Sequence, residues 1–214
     1  MAEERQVIIQ ADRVKLNGIL TIPKDARGLV IFAHGSGSSR LSPRNTFVAG
    51  VLQKAGLATL LFDLLTEKED EIYENRFDIP LLTVRLKAAT QWVKGQADTA
   101  NLKIGYFGAS TGTAVALISA ADLGKEIKAV VSRGGRPDLA DDALGKVLAP
   151  TLLIVGGEDF VVIELNKKAY DRIKAEKQLQ IIPGATHLFE EPGTLEEAAK
   201  LAAEWFKRHL IGQA

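Results

Sequence analysis

The sequence predicts an α/β fold, a mostly parallel sheet held between two layers of helices. Three observations carry that expectation. Short runs rich in Val, Ile, Leu and Phe alternate with longer segments of helical period. The run GLVIFAH (28–34) is nearly continuous in apolar residues, as a parallel strand covered on both faces is. The one hairpin-like pattern comes first, before the alternation begins. At 214 residues, with 46% hydrophobic and 25% charged content, a single domain over 1–214 has material for a sizeable core.

Residues 7–10 and 14–23 read as the opening hairpin, with Asp12 and Arg13 near its turn. The strand 28–34 leads to Ser42 and Pro43, a cap and a first-turn proline for a helix ending near Gly56. ATLLFDLL (58–65) is the next buried strand, and the charged stretch TEKEDEIYENR after it reads as a loop. Asp78, Ile79 and Pro80 open a helix through about Gly95. Within it Leu82, Leu86, Ala89 and Val93 recur at i, i+4, i+7 and i+11 and make one buried stripe.

The strand LKIGYFG (102–108) and a helix over 111–123, closed by Gly124, form the central unit. IKAVVSRGG (127–135), TLLIVGG and LQIIPG (179–184) are further strands, with helices expected over 161–175 and 194–209. Thr194 and Glu197 have capping-box spacing, and Ala198, Leu201, Ala202 and Trp205 give the last helix its core face.

Composition narrows the function. Lys plus Arg equals Asp plus Glu at 27 each, so no global charge favours nucleic acid or an anionic membrane. The absence of cysteine excludes disulfides, thiolate metal sites and a cysteine nucleophile, and suits a reducing compartment. The opening MAEERQVIIQADR carries no apolar signal core, and no apolar run is long enough to span a bilayer. A soluble cytoplasmic protein is expected.

In open parallel sheets chemistry collects at the carboxyl ends of strands. One strand ends in Gly108-Ala109-Ser110-Thr111-Gly112. Ser110 fits two roles there: an N-cap for the following helix, or the nucleophile of a G-x-S-x-G turn. The second role needs tiny residues on both sides, and Gly108 and Gly112 supply them. It also needs a base and an orienting carboxylate. His187 follows the last strand; Asp159 follows TLLIVGG, with Glu158 as its near alternative. The order Ser110, Asp159, His187 is a catalytic chain order. His209, in the last helix, reads as a favourably placed helix-terminal cation or a surface residue.

An acyl-transfer site also needs donors for a developing oxyanion. The strand ending His34-Gly35-Ser36-Gly37 offers backbone N–H groups around Ser36, and Thr111 offers one just after the nucleophile. His34 itself reads as a structural hydrogen-bonding residue. Arg40 stands where G-x-G-x-x-G requires glycine, no Walker-type motif occurs, and no histidine–carboxylate spacing suggests a metal. Cofactor-free chemistry is expected.

HGSGSS, FGASTG, LLIVGGEDF and PGATHLFEEPG, in that order and each at a strand end, resemble the α/β-hydrolases over the whole chain, specifically the dienelactone-hydrolase-like branch. The resemblance implies an eight-stranded, mostly parallel sheet and a Ser110–His187–Asp159 hydrolase. Dienelactone hydrolases proper use cysteine where this chain has Ser110, which moves the reading toward a serine carboxylesterase. Only about fifteen residues separate IKAVVSRGG from TLLIVGG, where many members of the superfamily carry a cap domain. An open site for small, accessible esters is expected.

Arg40, Arg44, Arg133 and Arg136 follow strand ends and are candidates to bind an anionic substrate group, Arg133 and Arg40 foremost. The competing reading pairs Arg133 and Arg136 with Asp138, Asp141 or Asp142. A lactonase or acyltransferase on the same three residues, and a non-catalytic binding protein on this scaffold, stay open. The expected partner is a small-molecule ester.

Overall fold

The computed structural model describes residues 2–212. Eight strands, β1 (Glu3–Ala11), β2 (Val14–Ile22), β3 (Gly28–Ala33), β4 (Ala58–Phe62), β5 (Lys103–Ala109), β6 (Ile127–Arg133), β7 (Thr151–Gly156) and β8 (Lys177–Ile182), form one sheet. Their order is β1-β2-β4-β3-β5-β6-β7-β8. β2 runs antiparallel to both β1 and β4, and all later pairs are parallel. Asp12 makes the opening hairpin turn with φ of 54°, a left-handed geometry that Asp tolerates.

The described residues form six helices, α1 (Pro43–Lys54), α2 (Glu67–Asp70), α3 (Ile79–Lys94), α4 (Gly112–Leu123), α5 (Phe160–Arg172) and α6 (Thr194–Phe206), of which all but the short, unburied α2 pack on the sheet. α1 and α6 pack on one face, α3, α4 and the end of α5 on the other. The stripe Leu82, Leu86, Ala89 and Val93 is buried as its spacing requires. Full burial of each large member contributes about 1.5–3 kcal/mol. α1 begins as expected, with Pro43 in its first turn and Ser42 Oγ accepting the Asn45 N–H at 3.4 Å.

Two local expectations are corrected. The charged stretch after β4 is not plain loop. Thr66 Oγ1 accepts the Glu69 N–H while Glu69 accepts the Thr66 N–H, a true capping box that opens α2, and a 3-10 turn (Tyr73–Phe77) follows. The expected box at Thr194 does not form. Gly193 takes the N-cap with φ of 83°, and the Thr194 hydroxyl turns back to donate to the Glu191 carbonyl at 2.7 Å. The last helix ends in a π-helical turn, Lys207–Ile211.

From β3 the chain moves out through α1 to β4, then back through α3 to β5 on the other side of β3. The strand order therefore reverses between the carboxyl ends of β3 and β5, where such sheets open a crevice. Between β6 and β7 lie only 3-10 turns (Pro137–Lys146), so no cap domain covers it. Among the described residues no helix is long and apolar enough to cross a membrane.

Candidate active site

Ser110 does not cap α4. Thr111 holds the N-cap position, and no side chain hydrogen-bonds there. Ser110 instead sits on a sharp turn with φ of 51°, in the left-handed region that costs a non-glycine residue about 1–2 kcal/mol. The turn is locked from both sides: the Ser110 N–H donates to the Arg133 carbonyl, and the Arg136 and Thr113 N–H groups donate to the Ser110 carbonyl. The flanking glycines are sterically required. A Cβ on Gly108 would lie 2.6 Å from Thr113 Cα, and one on Gly112 would lie 2.1 Å from the Ala33 carbonyl oxygen. Behind the turn, Thr113 Oγ1 bonds the Gly108 carbonyl at 3.2 Å and the Ser132 hydroxyl at 2.9 Å.

His187 and Ser110 line one cavity of about 250 Å3 at the ends of β3, β5 and β6. His187 Nδ1 meets Asp159 Oδ2 at 2.6 Å. Glu158 is exposed and makes no such bond, so the structure separates the two candidate carboxylates. The loops that carry this pair are stitched together. The Gly157 N–H donates to Ile182 and the Glu158 N–H to Ala185, while Glu191 accepts from the backbone and hydroxyl of Thr186. With Nδ1 on the carboxylate, Nε2 is the nitrogen left for proton exchange. No hydrogen bond joins it to Ser110 Oγ among the described residues; such bonds are often long without substrate and tighten with it.

The Thr111 N–H has no acceptor among the described hydrogen bonds. The Ser36 N–H, expected as its companion, donates to Thr111 Oγ1 at 3.0 Å. That bond ties the loop after β3 to the turn after β5. Sequence spacing carries no sign of it, because it spans 75 residues.

His34 is a structural residue. Its Nδ1 faces the Gly35 carbonyl at 2.9 Å and its Nε2 accepts the Leu64 N–H at 3.0 Å. Burial lowers its pKa, against the opposing pull of the Gly35 carbonyl, Asp63 and Asp70. The folded state therefore favours neutral imidazole, and its contribution is complete above the free histidine's titration and lost as pH falls. Between about pH 7 and pH 5 the melting temperature is expected to fall more steeply for the natural protein than for His34→Gln, which also donates and accepts without titrating. Parallel slopes in thermal melts would assign the acid sensitivity elsewhere. His209 packs against Trp205 with ring centroids 4.6 Å apart and the planes tilted by 58°, and it does not line the cavity.

The four candidate arginines separate. Arg40, expected in the substrate site, is committed to Asp63 through both its backbone N–H and its guanidinium, and it lines a neighbouring cavity. The end of β4 sits beside the end of β3, which places Asp63 within reach of Arg40. Arg136 forms two bonds to Asp138, at 2.9 and 2.8 Å. Arg44 pairs with Glu190 at 3.2 Å at the rim of the Ser110 cavity. Arg133 lines that cavity and pairs with none of the three aspartates considered for it. Among the described residues no group of three or more His, Asp or Glu side chains is placed to hold a metal ion.

A family model described as the dienelactone hydrolase family matches residues 16–210. The chain is 57% identical to a dienelactone hydrolase from Anabaena variabilis, with a TM-score of 0.95, over 98% of this chain and 99% of that one. It is 60% identical over 210 residues to a putative phosphoribosyl transferase of Mycobacterium tuberculosis. That match covers 98% of this chain and 47% of the relative, so the chain spans about half the relative's length. An esterase from Pyrococcus furiosus shares the fold with a TM-score of 0.76 at 22% identity, over 97% of this chain and 91% of that one.

Proposed function

The chain belongs to the dienelactone hydrolase family, and from that premise we propose that it hydrolyses small carboxylic esters through an acyl-enzyme on Ser110. One observation carries the reading. A strained serine that caps nothing shares a cavity with a histidine whose far nitrogen is 2.6 Å from a carboxylate.

Ser110 Oγ attacks the ester carbonyl carbon while His187 Nε2 removes its proton. Asp159 holds the Nδ1–H tautomer and stabilises the imidazolium as it forms. The carbonyl oxygen, now negative, takes the Thr111 N–H and draws the Ser36 N–H away from the Thr111 hydroxyl. One such donor is typically worth about 10²–10³ in rate. Collapse expels the alcohol, protonated by His187, and the same base then activates water to release the acid. The His187 side chain is 39% exposed, so water reaches the acyl-enzyme readily, which favours hydrolysis over transfer to another acceptor. A lactone, the substrate class in the Anabaena protein's name, would be opened by the same steps. Phosphoribosyl transfer, in the mycobacterial relative's name, belongs to a protein matched over 47% of its length.

The test is intact-mass spectrometry after exposure to a fluorophosphonate, with peptide mapping of the product. The expected result is one adduct, on Ser110, that fails to form in His187→Ala. No adduct on folded protein would overturn the reading and favour a binding protein on this scaffold.

A further inference from the structure

Asn166 is a polar side chain buried inside α5, at 0% exposure, and asparagine is a poor residue for a helix interior. Its Oδ1 is buried with no partner among the described residues, so only its amide end is used. Nδ2 donates to the Val162 carbonyl of its own helix at 2.8 Å and, across to the loop after β6, to the Gly135 carbonyl at 3.0 Å. That loop clamps the nucleophile turn at both ends. The Arg133 carbonyl accepts the Ser110 N–H, and the Arg136 N–H donates to the Ser110 carbonyl at 3.0 Å. The loop is itself pinned from beneath: the Gly134 N–H donates to the Ile154 carbonyl at 2.8 Å, and a Cβ on Gly135 would lie 2.0 Å from Ser132 Oγ.

We infer that Asn166 is a positioning residue for the oxyanion donor, acting on the Thr111 N–H through the peptides 135–136 and 110–111. The Gly135 carbonyl and the Arg136 N–H are opposite ends of one peptide plane, and the Ser110 carbonyl and the Thr111 N–H are opposite ends of the other. The bonds therefore run in one direction. They pass from the Asn166 carboxamide into the first plane, from that plane into the second, and out through the Thr111 N–H, which has no acceptor among the described hydrogen bonds. Each bond in such a chain polarises the next, and each fixes the tilt of the plane it meets. A carbonyl drawn from behind leaves its N–H a stronger donor in front. The inference rests on the esterase reading of Ser110, in which that N–H meets the oxygen that becomes negative. The Thr113 N–H also reaches the Ser110 carbonyl, at 3.1 Å, but from within the same turn; Arg136 brings the bond from outside it.

The experiment replaces Asn166 with Thr. A threonine hydroxyl bonds the carbonyl four residues back, here Val162, but is too short to reach Gly135, so the helix bond is kept and the bond to the loop is lost. The probe is propyl trifluoromethyl ketone. Ser110 Oγ bonds to its carbonyl carbon, the π pair becomes an alkoxide facing the Thr111 N–H, and the Oγ proton passes to His187 Nε2. A whole oxyanion donor is typically worth about 10²–10³ in rate; here the donor is weakened rather than removed, and kcat/KM for p-nitrophenyl butyrate is expected to fall about tenfold, through kcat. The inhibition constant of the ketone is expected to rise by the same factor, because the ketone adduct shares the charge of the transition state. The apparent pKa of the kcat/KM profile, set by His187, is expected to match that of the natural protein.

An unchanged ketone inhibition constant overturns the inference whatever happens to kcat, because a fold that is merely less populated lowers kcat alone. A shifted apparent pKa with an unchanged ketone constant overturns it too. Asn166 would then act on His187, which the same loop approaches: a Cβ on Gly134 would lie 3.1 Å from the His187 carbonyl oxygen. Should Asn166→Thr not fold, nuclear magnetic resonance of the natural protein, with its amide nitrogens isotope-labelled, still decides. Adding the ketone is expected to move the Thr111 and Arg136 amide protons and the Asn166 Nδ2 protons downfield together. A Thr111 amide that moves alone overturns the inference. If the natural protein takes neither the ketone nor the fluorophosphonate on Ser110, the esterase reading fails and takes this inference with it. An adduct on Ser110 whose strength Asn166→Thr leaves unaltered overturns the inference alone.

Discussion

Ser110→Ala is expected to lower kcat for p-nitrophenyl butyrate by about 10⁴-fold or more while leaving a folded protein. Triad members act as a unit, and removing the nucleophile costs nearly as much as removing all three. What survives is binding and whatever the Thr111 N–H contributes. The same site makes a second, opposite prediction about stability. At φ of 51° Ser110 holds a conformation that only glycine adopts freely, and three backbone hydrogen bonds hold it there. Ser110→Gly relaxes the turn, and thermal melts are expected to show a gain of about 1 kcal/mol, or roughly 2–4 °C for a chain of this size. A residue that costs the fold and drives the chemistry is what an activated nucleophile looks like. Steady-state kinetics on the alanine variant and melts on the glycine variant read the two halves separately. Residual activity within tenfold of the natural protein would remove Ser110 from the chemistry, and a lower melting point for Ser110→Gly would show that the turn is not strained.

The parts of this molecule legible in its sequence are those fixed by local sterics and periodicity. The glycine-flanked serine could be read because the clash at Gly108 involves Thr113, five residues on in the same turn. The stripe on α3 could be read because one helix face needs no partner to be recognised. The sequence narrows the carboxylate to two adjacent residues, Asp159 and Glu158, and only the turn after β7 decides which of them faces His187. Other features depend on which strands lie side by side, and the linear order hides that. Arg40 meets Asp63 because β4 neighbours β3, and Ser36 meets Thr111 because β5 lies on its other side. The solitude of Arg133 is hidden too. The linear order sets carboxylates at 138, 141 and 142 close after it, yet Arg136 takes Asp138 and Arg172 takes the other two. The capping boxes show the limit from another side. The pattern at Thr66 and Glu69 forms without any apolar run behind it, while the one at Thr194 is displaced by a glycine in the left-handed region one residue earlier.

Gly112→Ala is expected to be the most damaging single methyl group that can be added to the protein. The new Cβ would stand 2.1 Å from the Ala33 carbonyl oxygen and 2.6 Å from that of His34, both backbone atoms at the end of β3. A side chain can rotate out of such a clash; a central strand cannot. Relief requires the start of α4 to lift from β3, which separates Ser36 from Thr111 and opens the crevice proposed to bind the oxyanion. The loss is expected to exceed about 4 kcal/mol, a large share of the stability of an ordinary domain. Gly50→Ala is the matched control. Gly50 lies within α1, its Cβ meets nothing within 4 Å, and the change should stabilise by about 0.5–1 kcal/mol. Denaturant unfolding of the two variants compares the same chemical change at a required and an unrequired glycine. If Gly112→Ala unfolds near the natural midpoint, the contact between β3 and α4 is softer than its geometry implies. A variant that stays folded but loses esterase activity would instead place the first yielding point at the Ser36–Thr111 bond. In that case the glycine guards the geometry of the reaction before it guards the fold.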